Sequence, residues 1–331
     1  MKICVLGSGS WGFTLQMLLA SKGYDIIAWT GKEKLRDQLN NNRIHPLFPN
    51  SPIPLNITFT CDLEDAAYNK EMIVESVTSS GLRPVFERIK HEPINCPIVI
   101  TSKGVEQSSL LSLPDVLVDV LGERHRKKIS ILSGPSFAQD VIHQRPTSVV
   151  ASSFNPQAIP LISQTFNTPT FRVYPNSDIQ GVSLGGAMKN IMAIACGISD
   201  GMQFGASARA ALMTRGLHEM RKVAVACGAK AETLNGLSGM GDLIATCSST
   251  LSRNYSFGTL LAEGKSSDEA LDQIGLVVEG TYSVKSITTL GEKLGIPLPV
   301  SEGVYGMIYK NLSPQMAVQQ LMQRQVKEEH L

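Results

Sequence analysis

The stretch KICVLGSGSWG, residues 2–12, decides the fold of the N-terminal part of this chain. It predicts a buried strand over Lys2–Leu6, a turn with the spacing G-x-G-x-x-G, and a helix over Trp11–Lys22 that Gly23 ends. A second strand, Asp25–Trp29, comes next. The turn therefore has the full strand–turn–helix–strand context that separates a dinucleotide-binding unit from an ordinary glycine turn.

The three glycines of this turn have separate predicted tasks. Gly7 permits the tight turn, Gly9 lets the backbone approach a pyrophosphate, and Gly12 lets the helix pack on the strand. The free N–H groups and the positive end of the helix can then hold the anion. We therefore expect a dinucleotide to bind at this turn.

The first half of the chain alternates between short β-branched apolar runs and longer helical or loop stretches. This alternation predicts a parallel, doubly wound sheet. The predicted strands are Lys2–Leu6, Asp25–Trp29, Met72–Val77, Ile98–Thr101, Ile129–Leu132 and Ser148–Ala151. The stretch Asn40–Asn56 is rich in Asn and Pro and predicts a loop.

The composition changes near Ile179. Between residues 181 and 214 the only charged residues are Lys189, Asp200 and Arg209, and small residues dominate. The chain beyond predicts helices separated by Gly, Pro and Ser breaks. We therefore predict an α/β domain of the doubly wound Rossmann type over residues 1–178, which binds the dinucleotide, and an all-α substrate and catalytic domain over residues 179–331.

Length and composition exclude several classes of protein. The 331 residues are enough for about two domains, and a net charge of +1 gives no basic surface for nucleic acid. No apolar stretch reaches the roughly 20 residues that a membrane span needs, and we expect no signal peptide, because the residues before the first strand lack its pattern. The six cysteines show no C-x-x-C pair and no H-E-x-x-H occurs. We therefore expect reduced thiols, no metal site and a cytoplasmic location.

The end of the second predicted strand bears on the choice of cofactor. An acid there binds the ribose 2′-OH of NAD, and a basic residue accommodates the 2′-phosphate of NADP. The strand leads into Thr30-Gly31-Lys32-Glu33-Lys34, with no acid at its tip. Lys32 and Lys34 favour NADP, while Glu33 keeps NAD open.

Two polar segments follow predicted strands and so belong to the carboxyl edge of the sheet, where open α/β sheets bind ligands. The first is Ser102-Lys103-Gly104 and the second is Ser133–Ala138. Pro135 suits the first position of a helix, which would put Gly134 and Ser136 at a helix N-terminus with free donors for an anion. Ordinary loop structure is the alternative for both.

A single lysine, Lys189, lies in the apolar helical stretch Gly185–Met192. Burial is costly for a lysine unless it is paired or functional, and desolvation lowers its pKa towards the range of an acid/base catalyst. The alternative is a lysine that extends to the surface.

The segments Gly239–Leu243 and Ser252-Arg253-Asn254 offer complementary groups. Asp242 can pair with a lysine ammonium, and Arg253 presents a planar fork suited to phosphate, with Ser252 and Asn254 as neutral donors. The alternative for the second segment is a solvated helix start.

Seven motifs taken in order resemble the bacterial-type NAD(P)-dependent glycerol-3-phosphate dehydrogenase family, over nearly the whole chain. These motifs are Gly7–Gly12, Ser102–Gly104, Ser133–Ala138, Gly185–Asn190, Gly239–Asp242, Ser252–Asn254 and Val277–Gly280.

The resemblance implies a reaction and a set of site residues. The reaction is the interconversion of sn-glycerol 3-phosphate and dihydroxyacetone phosphate with NAD or NADP, which supplies glycerol 3-phosphate for glycerophospholipid synthesis. Lys189 matches the family's proton acceptor, and the resemblance also implies a homodimer. Substrate contacts fall on Lys103, Gly134, Ser136, Lys189, Asp242, Ser252, Arg253 and Asn254. Dinucleotide contacts fall on Gly7, Gly9, Ser10, Trp11, Gly12, Lys103, Ala138, Arg253, Val277 and Glu279.

The sequence departs from the family pattern in two places. Gly31, followed by Lys32, stands where the family usually carries an arginine, and Val77-Thr78-Ser79 replaces Val-Pro-Ser. Three alternatives stay open: a related two-domain dehydrogenase of hydroxy acids or sugar phosphates, a non-catalytic NAD(P)-binding sensor, and a purely structural or interaction protein.

Overall fold

The computed structural model describes residues 1–326 and 328, and the chain forms two compact units. The first contains Met1–Ser102 and Leu113–Ile179, and the second contains Lys103–Ser112 and the chain from Gln180 onward. The sequence predicts a single boundary between residues 178 and 179. The short excursion of residues 103–112 into the second unit has no signal in the composition of the sequence. Val105 places this segment there, because its side chain joins the apolar core of the second unit. Its carbonyl also accepts a hydrogen bond from the Ser286 hydroxyl at 3.0 Å.

The first unit is built on an eight-stranded sheet with the order β10-β9-β8-β7-β6-β1-β2-β5, and a separate two-stranded ribbon, β3–β4. The strands are β1 Lys2–Leu6, β2 Asp25–Trp29, β3 Ile44–His45, β4 Phe48–Pro52, β5 Ile57–Thr60, β6 Met72–Glu75, β7 Ile98–Ile100, β8 Ile129–Ser133, β9 Thr147–Ser153 and β10 Phe171–Asn176.

Helices connect these strands. They are α1 Ser10–Ser21, α2 Glu33–Asn42, α3 Leu63–Ala67, α4 Leu82–Ile89, α5 Leu113–Leu121, α6 Ala138–Ile142 and α7 Ile159–Phe166, with short 3₁₀ turns at Ser79–Gly81, Glu123–Lys128 and Pro156–Ala158. The order of strands reverses between β1 and β6, which is the switch point where such sheets bind ligands. The predicted doubly wound Rossmann-type domain is confirmed.

Three details of the predicted sheet are wrong. The sheet has eight strands and not six, because β5 and β10 lie outside the predicted strands. The sheet is not wholly parallel, because β8 and β9 pair antiparallel. The region predicted as a loop over residues 40–56 contains the end of α2 and the antiparallel ribbon β3–β4. Pro49 and Pro52 lie in β4, where an isolated ribbon tolerates residues that a central strand does not.

The second unit is helical, as predicted, apart from an isolated β-bridge between Val105 and Ser112. Its α-helices are α8 Ile179–Gly201, α9 Gly205–Ala226, α10 Asp242–Cys247, α11 Arg253–Ala262, α12 Ser267–Ile274, α13 Glu279–Leu294, α14 Pro299–Tyr309 and α15 Pro314–Met322. A 3₁₀ turn spans Ala231–Asn235 and a π-helical turn spans Leu237–Gly241.

Helix α8 is the centre of this unit, and it corrects one expectation. Within the described residues it alone is long and apolar enough to cross a bilayer, whereas the sequence pattern predicts no such stretch. Its apolar window is completely buried inside the protein, as in the core helix of a globular unit. The sequence pattern does not indicate this span because glycines and Lys189 interrupt it.

Candidate active site

The glycine turn of the first unit has the geometry that its sequence predicts. Gly7 has a φ of +109°, and a Cβ on Gly12 would lie 2.2 Å from the Gly7 carbonyl oxygen, so helix and turn touch only because Gly12 lacks a side chain. A Cβ on Gly9 would have no neighbour within 4 Å. The outer side of the turn is therefore open to a ligand, and α1 starts there at Ser10.

Side chains behind the turn hold its carbonyl groups. The Gln16 amide donates to the Gly7 carbonyl at 3.1 Å and to the Ser8 hydroxyl at 3.2 Å. The His45 ring accepts from the Leu47 amide through Nδ1, so its proton is on Nε2, which donates to the Ser8 carbonyl at 3.1 Å. Burial lowers the pKa of His45 and favours this neutral form. The turn thus has its acceptors satisfied from behind and fits a pyrophosphate on its open side.

The residues around this turn differ in exposure. Ser10 and Trp11, in the first turn of α1, are half-buried. Strand β2 ends at Trp29, and Gly31, Lys32 and the first residues of α2 are exposed. Lys32 and Lys34 are therefore both accessible beyond the tip of β2.

The segment after β8 corrects a prediction. Helix α6 begins at Ala138 with Phe137 as its N-cap, so Pro135 does not start the helix. Gly134 instead turns the chain with a φ of +150°, and a Cβ there would lie 2.9 Å from Val149 Cα. The Ser136 hydroxyl donates to the Gly134 carbonyl at 3.2 Å. Any ligand contact from this segment therefore comes from a loop and not from a helix N-terminus.

In the second unit, two lysines share one buried carboxylate. Lys189 Nζ donates to Asp242 Oδ1, and Lys103 Nζ donates to Asp242 Oδ2 at 2.5 Å. The Asp242 side chain is 2% exposed, that of Lys189 10% and that of Lys103 18%. Three predicted site residues from distant parts of the chain thus form one cluster, the lysine cluster.

Burial controls the electrostatics of the lysine cluster. Desolvation lowers the pKa of Lys189 to about 8; the negative charge of Asp242 opposes this shift, and the positive charge of Lys103 adds to it. An amine with such a pKa exchanges a proton near neutral pH, as an acid/base catalyst must. Lys189 does not extend to the surface, which was the alternative interpretation.

Thr246 completes this cluster and was missed by the sequence analysis. Its hydroxyl accepts a hydrogen bond from Lys189 Nζ at 2.9 Å and donates to the Asp242 carbonyl at 2.6 Å. Thr246 is one helical turn after Asp242 in α10, so the two side chains share a face. That spacing is the signal that could have identified it.

Glycines allow the fold to bring Lys189 and Asp242 together. Gly185, one turn before Lys189 in α8, lies against the π-helical turn that precedes Asp242. A Cβ on Gly185 would lie 2.7 Å from the Ser238 carbonyl oxygen. The close approach of the two backbones places the start of α10 beside the middle of α8, and π-helical turns of this kind are frequent at functional sites.

The Ser252–Asn254 segment starts helix α11. Ser252 is the N-cap and accepts from the Tyr255 amide, while Arg253 is exposed. The Asn254 amide is occupied within the protein: it donates to Asn190 Oδ1 at 3.0 Å and accepts from the Gly280 amide at 2.8 Å. Asn254 therefore ties α11 to α8 and α13, and Arg253 is the member of the segment that is free of such packing.

Val277 and Glu279 flank the start of α13, where Val277 is exposed and Glu279 is half-buried. Partial desolvation lowers the pKa of Arg253, and the charge of Glu279 opposes that shift. The described residues contain no group of three or more His, Cys, Asp or Glu side chains placed to hold a metal ion.

Comparison with protein-family models gives two matches. The model of the NAD-dependent glycerol-3-phosphate dehydrogenase N-terminus matches residues 2–159, and that of the C-terminus of the same family matches residues 178–319.

Individual proteins match over the full length. The chain is 55% identical to a glycerol-3-phosphate dehydrogenase [NAD(P)+] from Protochlamydia amoebophila, covering 100% of this chain and 99% of that relative. It is 48% identical to the protein of the same name from Chlamydia caviae, with the same coverage. The crystal structure of a glycerol-3-phosphate dehydrogenase from Coxiella burnetii superposes with a TM-score of 0.93 at 37% identity and covers 98% of this chain and 99% of that chain.

Proposed function

Because this chain belongs to the NAD-dependent glycerol-3-phosphate dehydrogenase family, we propose that it interconverts sn-glycerol 3-phosphate and dihydroxyacetone phosphate with NAD(P)(H). The observation that carries this proposal is the buried Lys189, whose amine shares the Asp242 carboxylate with Lys103. The reaction needs a proton donor of this kind next to the carbonyl oxygen.

The dinucleotide is assigned chiefly to residues 1–178, because the glycine turn there has an open face and satisfied carbonyls. When bound, the dinucleotide supplies the hydride. Lys32 and Lys34, exposed beyond the tip of β2, support a preference for NADPH. The full set of dinucleotide contacts is Gly7, Gly9, Ser10, Trp11, Gly12, Lys103, Ala138, Arg253, Val277 and Glu279.

The phosphorylated substrate is assigned chiefly to residues 179–331. Arg253 offers an exposed planar guanidinium for the phosphate, and Asn254 and Asn190 keep the start of α11 in place. The full set of substrate contacts is Lys103, Gly134, Ser136, Lys189, Asp242, Ser252, Arg253 and Asn254. The enzyme is a cytoplasmic homodimer that supplies glycerol 3-phosphate for glycerophospholipid synthesis.

The lysine cluster performs the proton transfer. During reduction, negative charge develops on the carbonyl oxygen; protonated Lys189 stabilises it and donates the proton, and in oxidation the neutral amine takes a proton from the hydroxyl. Asp242 holds the ammonium through Oδ1, and Lys103, held on Oδ2, adds positive potential. Asp242 therefore orients both amines and partly neutralises them.

The proposal is tested by following dinucleotide absorbance with dihydroxyacetone phosphate, with NADH and NADPH compared at matched concentration. A panel of 2-keto acids and other sugar phosphates addresses the alternative of a related two-domain dehydrogenase. We expect turnover with dihydroxyacetone phosphate and a higher kcat/KM with NADPH. Faster turnover of another carbonyl compound would contradict the assignment of dihydroxyacetone phosphate as the substrate. Absence of turnover with every compound would contradict the assignment of this protein as an enzyme.

A further inference from the structure

The first unit contains a fully buried carboxyl group that the proposed mechanism does not use. Glu75 is the last residue of β6, is 0% exposed, and lies between Leu6 of β1 and Ile100 of β7 in the sheet register. Both neighbours are buried and apolar. A buried carboxylate in such surroundings costs free energy unless hydrogen bonds compensate it.

Three hydrogen bonds compensate Glu75, and neutral groups donate all of them. Oε1 accepts from the Val77 amide at 2.8 Å. Oε2 accepts from the Ser102 hydroxyl at 2.7 Å and from the Ser102 amide at 3.4 Å. Among residues 1–326 and 328, no cationic side chain forms a salt bridge with Glu75.

These donors belong to two loops that leave the carboxyl edge of the sheet. Val77 lies in the loop after β6, directly beside the glycine turn, since a Cβ on Gly7 would be 2.4 Å from the Ser76 carbonyl oxygen. Ser102 lies in the loop after β7 and directly precedes Lys103. One carboxylate therefore holds together the loop beside the glycine turn and the residue that precedes Lys103.

The chemistry of these contacts requires a carboxylate. Each oxygen faces a backbone N–H, which can only donate, so both must act as acceptors. A glutamine could accept from Val77 with its oxygen, but its NH₂ group would then face the Ser102 amide, donor against donor.

We propose that Glu75 is a positioning residue: its carboxylate anchors Ser102 at the end of the sheet. It thereby fixes the backbone position from which the side chain of Lys103 extends. This inference rests on the proposed function, in which Lys103 acts at the carbonyl oxygen. Glu75 itself touches neither substrate nor dinucleotide in this proposal.

The anchor depends on the charge of the carboxyl group. Desolvation raises the pKa of Glu75 to about 7, although the hydrogen bonds from Ser102 and Val77 oppose the shift. A protonated carboxyl group must donate from one oxygen and then accepts fewer of the three bonds. Turnover should therefore fall on the acidic side of neutrality, as the anchor of Ser102 weakens.

The test compares three variants of the full-length protein. Glu75→Gln removes the charge, Ser102→Ala removes the hydroxyl donor and keeps the carboxylate, and Glu71→Gln is the control. Glu71 is a carboxylate four residues earlier whose side chain is 63% exposed and which accepts from the Lys2 amide. Two readouts are taken: hydrogen–deuterium exchange of the peptide covering residues 101–105, and kcat against pH for dihydroxyacetone phosphate reduction.

We expect amides of residues 101–105 to exchange at least roughly 10-fold faster in Glu75→Gln, and kcat near neutral pH to fall roughly 10- to 100-fold, as for a misplaced catalytic group. The acidic limb of the kcat profile should disappear in Glu75→Gln. It should move to higher pH in Ser102→Ala, because that hydroxyl lowers the pKa of Glu75. Glu71→Gln should match the parent protein in both readouts.

Unchanged exchange in Glu75→Gln would overturn the proposal whatever the activity, and so would an acidic limb that persists in that variant. If Glu75→Gln does not fold, Ser102→Ala decides, because an unmoved acidic limb there would also overturn it. Faster exchange without any turnover by the parent protein would support the anchor and remove the proposed reaction, so the two failures are distinguishable.

Discussion

The ammonium of Lys189 and the hydroxyl of Thr246 lie 2.9 Å apart, and the same hydroxyl is held by the Asp242 carbonyl. Thr246 therefore presents a lone pair to Lys189 in a fixed direction. A neutral acceptor of this kind stabilises the protonated amine and restricts where its other protons point.

Replacing Thr246 with valine keeps the shape and removes this acceptor. We expect kcat to fall roughly 10- to 100-fold, since a hydrogen bond to a charged group contributes about 1.5–3 kcal/mol. The alkaline limb of the kcat profile for reduction should move to lower pH, because loss of the acceptor lowers the pKa of Lys189. Thr246→Ser should retain the kcat and the alkaline limb of the parent protein. An alkaline limb that does not move in Thr246→Val would argue against this contact.

Removing the amine altogether is the direct test of the proton donor. Lys189→Ala should lower kcat by on the order of 10²–10⁴, the range for one positioned acid/base group, while NADPH binding measured by fluorescence should survive. Lys285→Ala, at an exposed position of α13, is the control. Near-normal turnover by Lys189→Ala would remove this residue from the mechanism.

The two directions of the reaction should respond oppositely to pH. Reduction needs protonated Lys189 and oxidation needs the neutral amine, and the pKa of this group is about 8. As pH rises through that value, kcat for reduction should fall and kcat for oxidation should rise. Parallel profiles in both directions would contradict the role of Lys189.

Arg253 should affect substrate more than turnover. Arg253→Ala should raise KM for dihydroxyacetone phosphate, with a smaller loss of dinucleotide affinity, because the guanidinium is assigned to the phosphate. Arg253→Lys should restore this only in part, since an ammonium lacks the planar fork. An unchanged KM in Arg253→Ala would exclude the phosphate role.

The close approach at Gly185 can be tested against a second helical glycine. A methyl group on Gly185 would meet the Ser238 carbonyl, whereas one on Gly303, in α14, meets nothing within 4 Å. Gly185→Ala should destabilise the protein by about 1–3 kcal/mol and lower kcat by moving Asp242. Gly303→Ala should stabilise it by up to about 1 kcal/mol. Thermal unfolding measures both, and equal shifts would refute the packing argument.

Local sequence patterns could predict the first strands and the glycine turn, because their signals lie within about thirty residues. Strands β1 and β2 begin and end as predicted. The antiparallel pairing of β8 with β9 could not be predicted, because the direction of a strand depends on its partner and not on its own composition.

The candidate site shows the same division. The sequence indicates proton transfer and phosphate binding from the residue types of Lys189, Asp242 and Arg253. Only the folded backbone, however, brings Lys103 to the carboxylate of Asp242. Gln16, His45 and Glu75 had no sequence signal, because each acts through hydrogen bonds to backbone or hydroxyl groups that only the folded chain brings beside it.

The excursion of residues 103–112 has a consequence for dissecting this protein. The peptide chain passes from one compact unit to the other three times, after Ser102, after Ser112 and after Ile179. A fragment that begins at residue 180 would lack Lys103, leaving the Asp242 carboxylate with one amine instead of two, and would lose the Val105 side chain from its apolar core. If the chain is cut or recombined between residues 179 and 180, the second half should therefore be incomplete. Only the intact polypeptide supplies both Lys103 and Val105 to it.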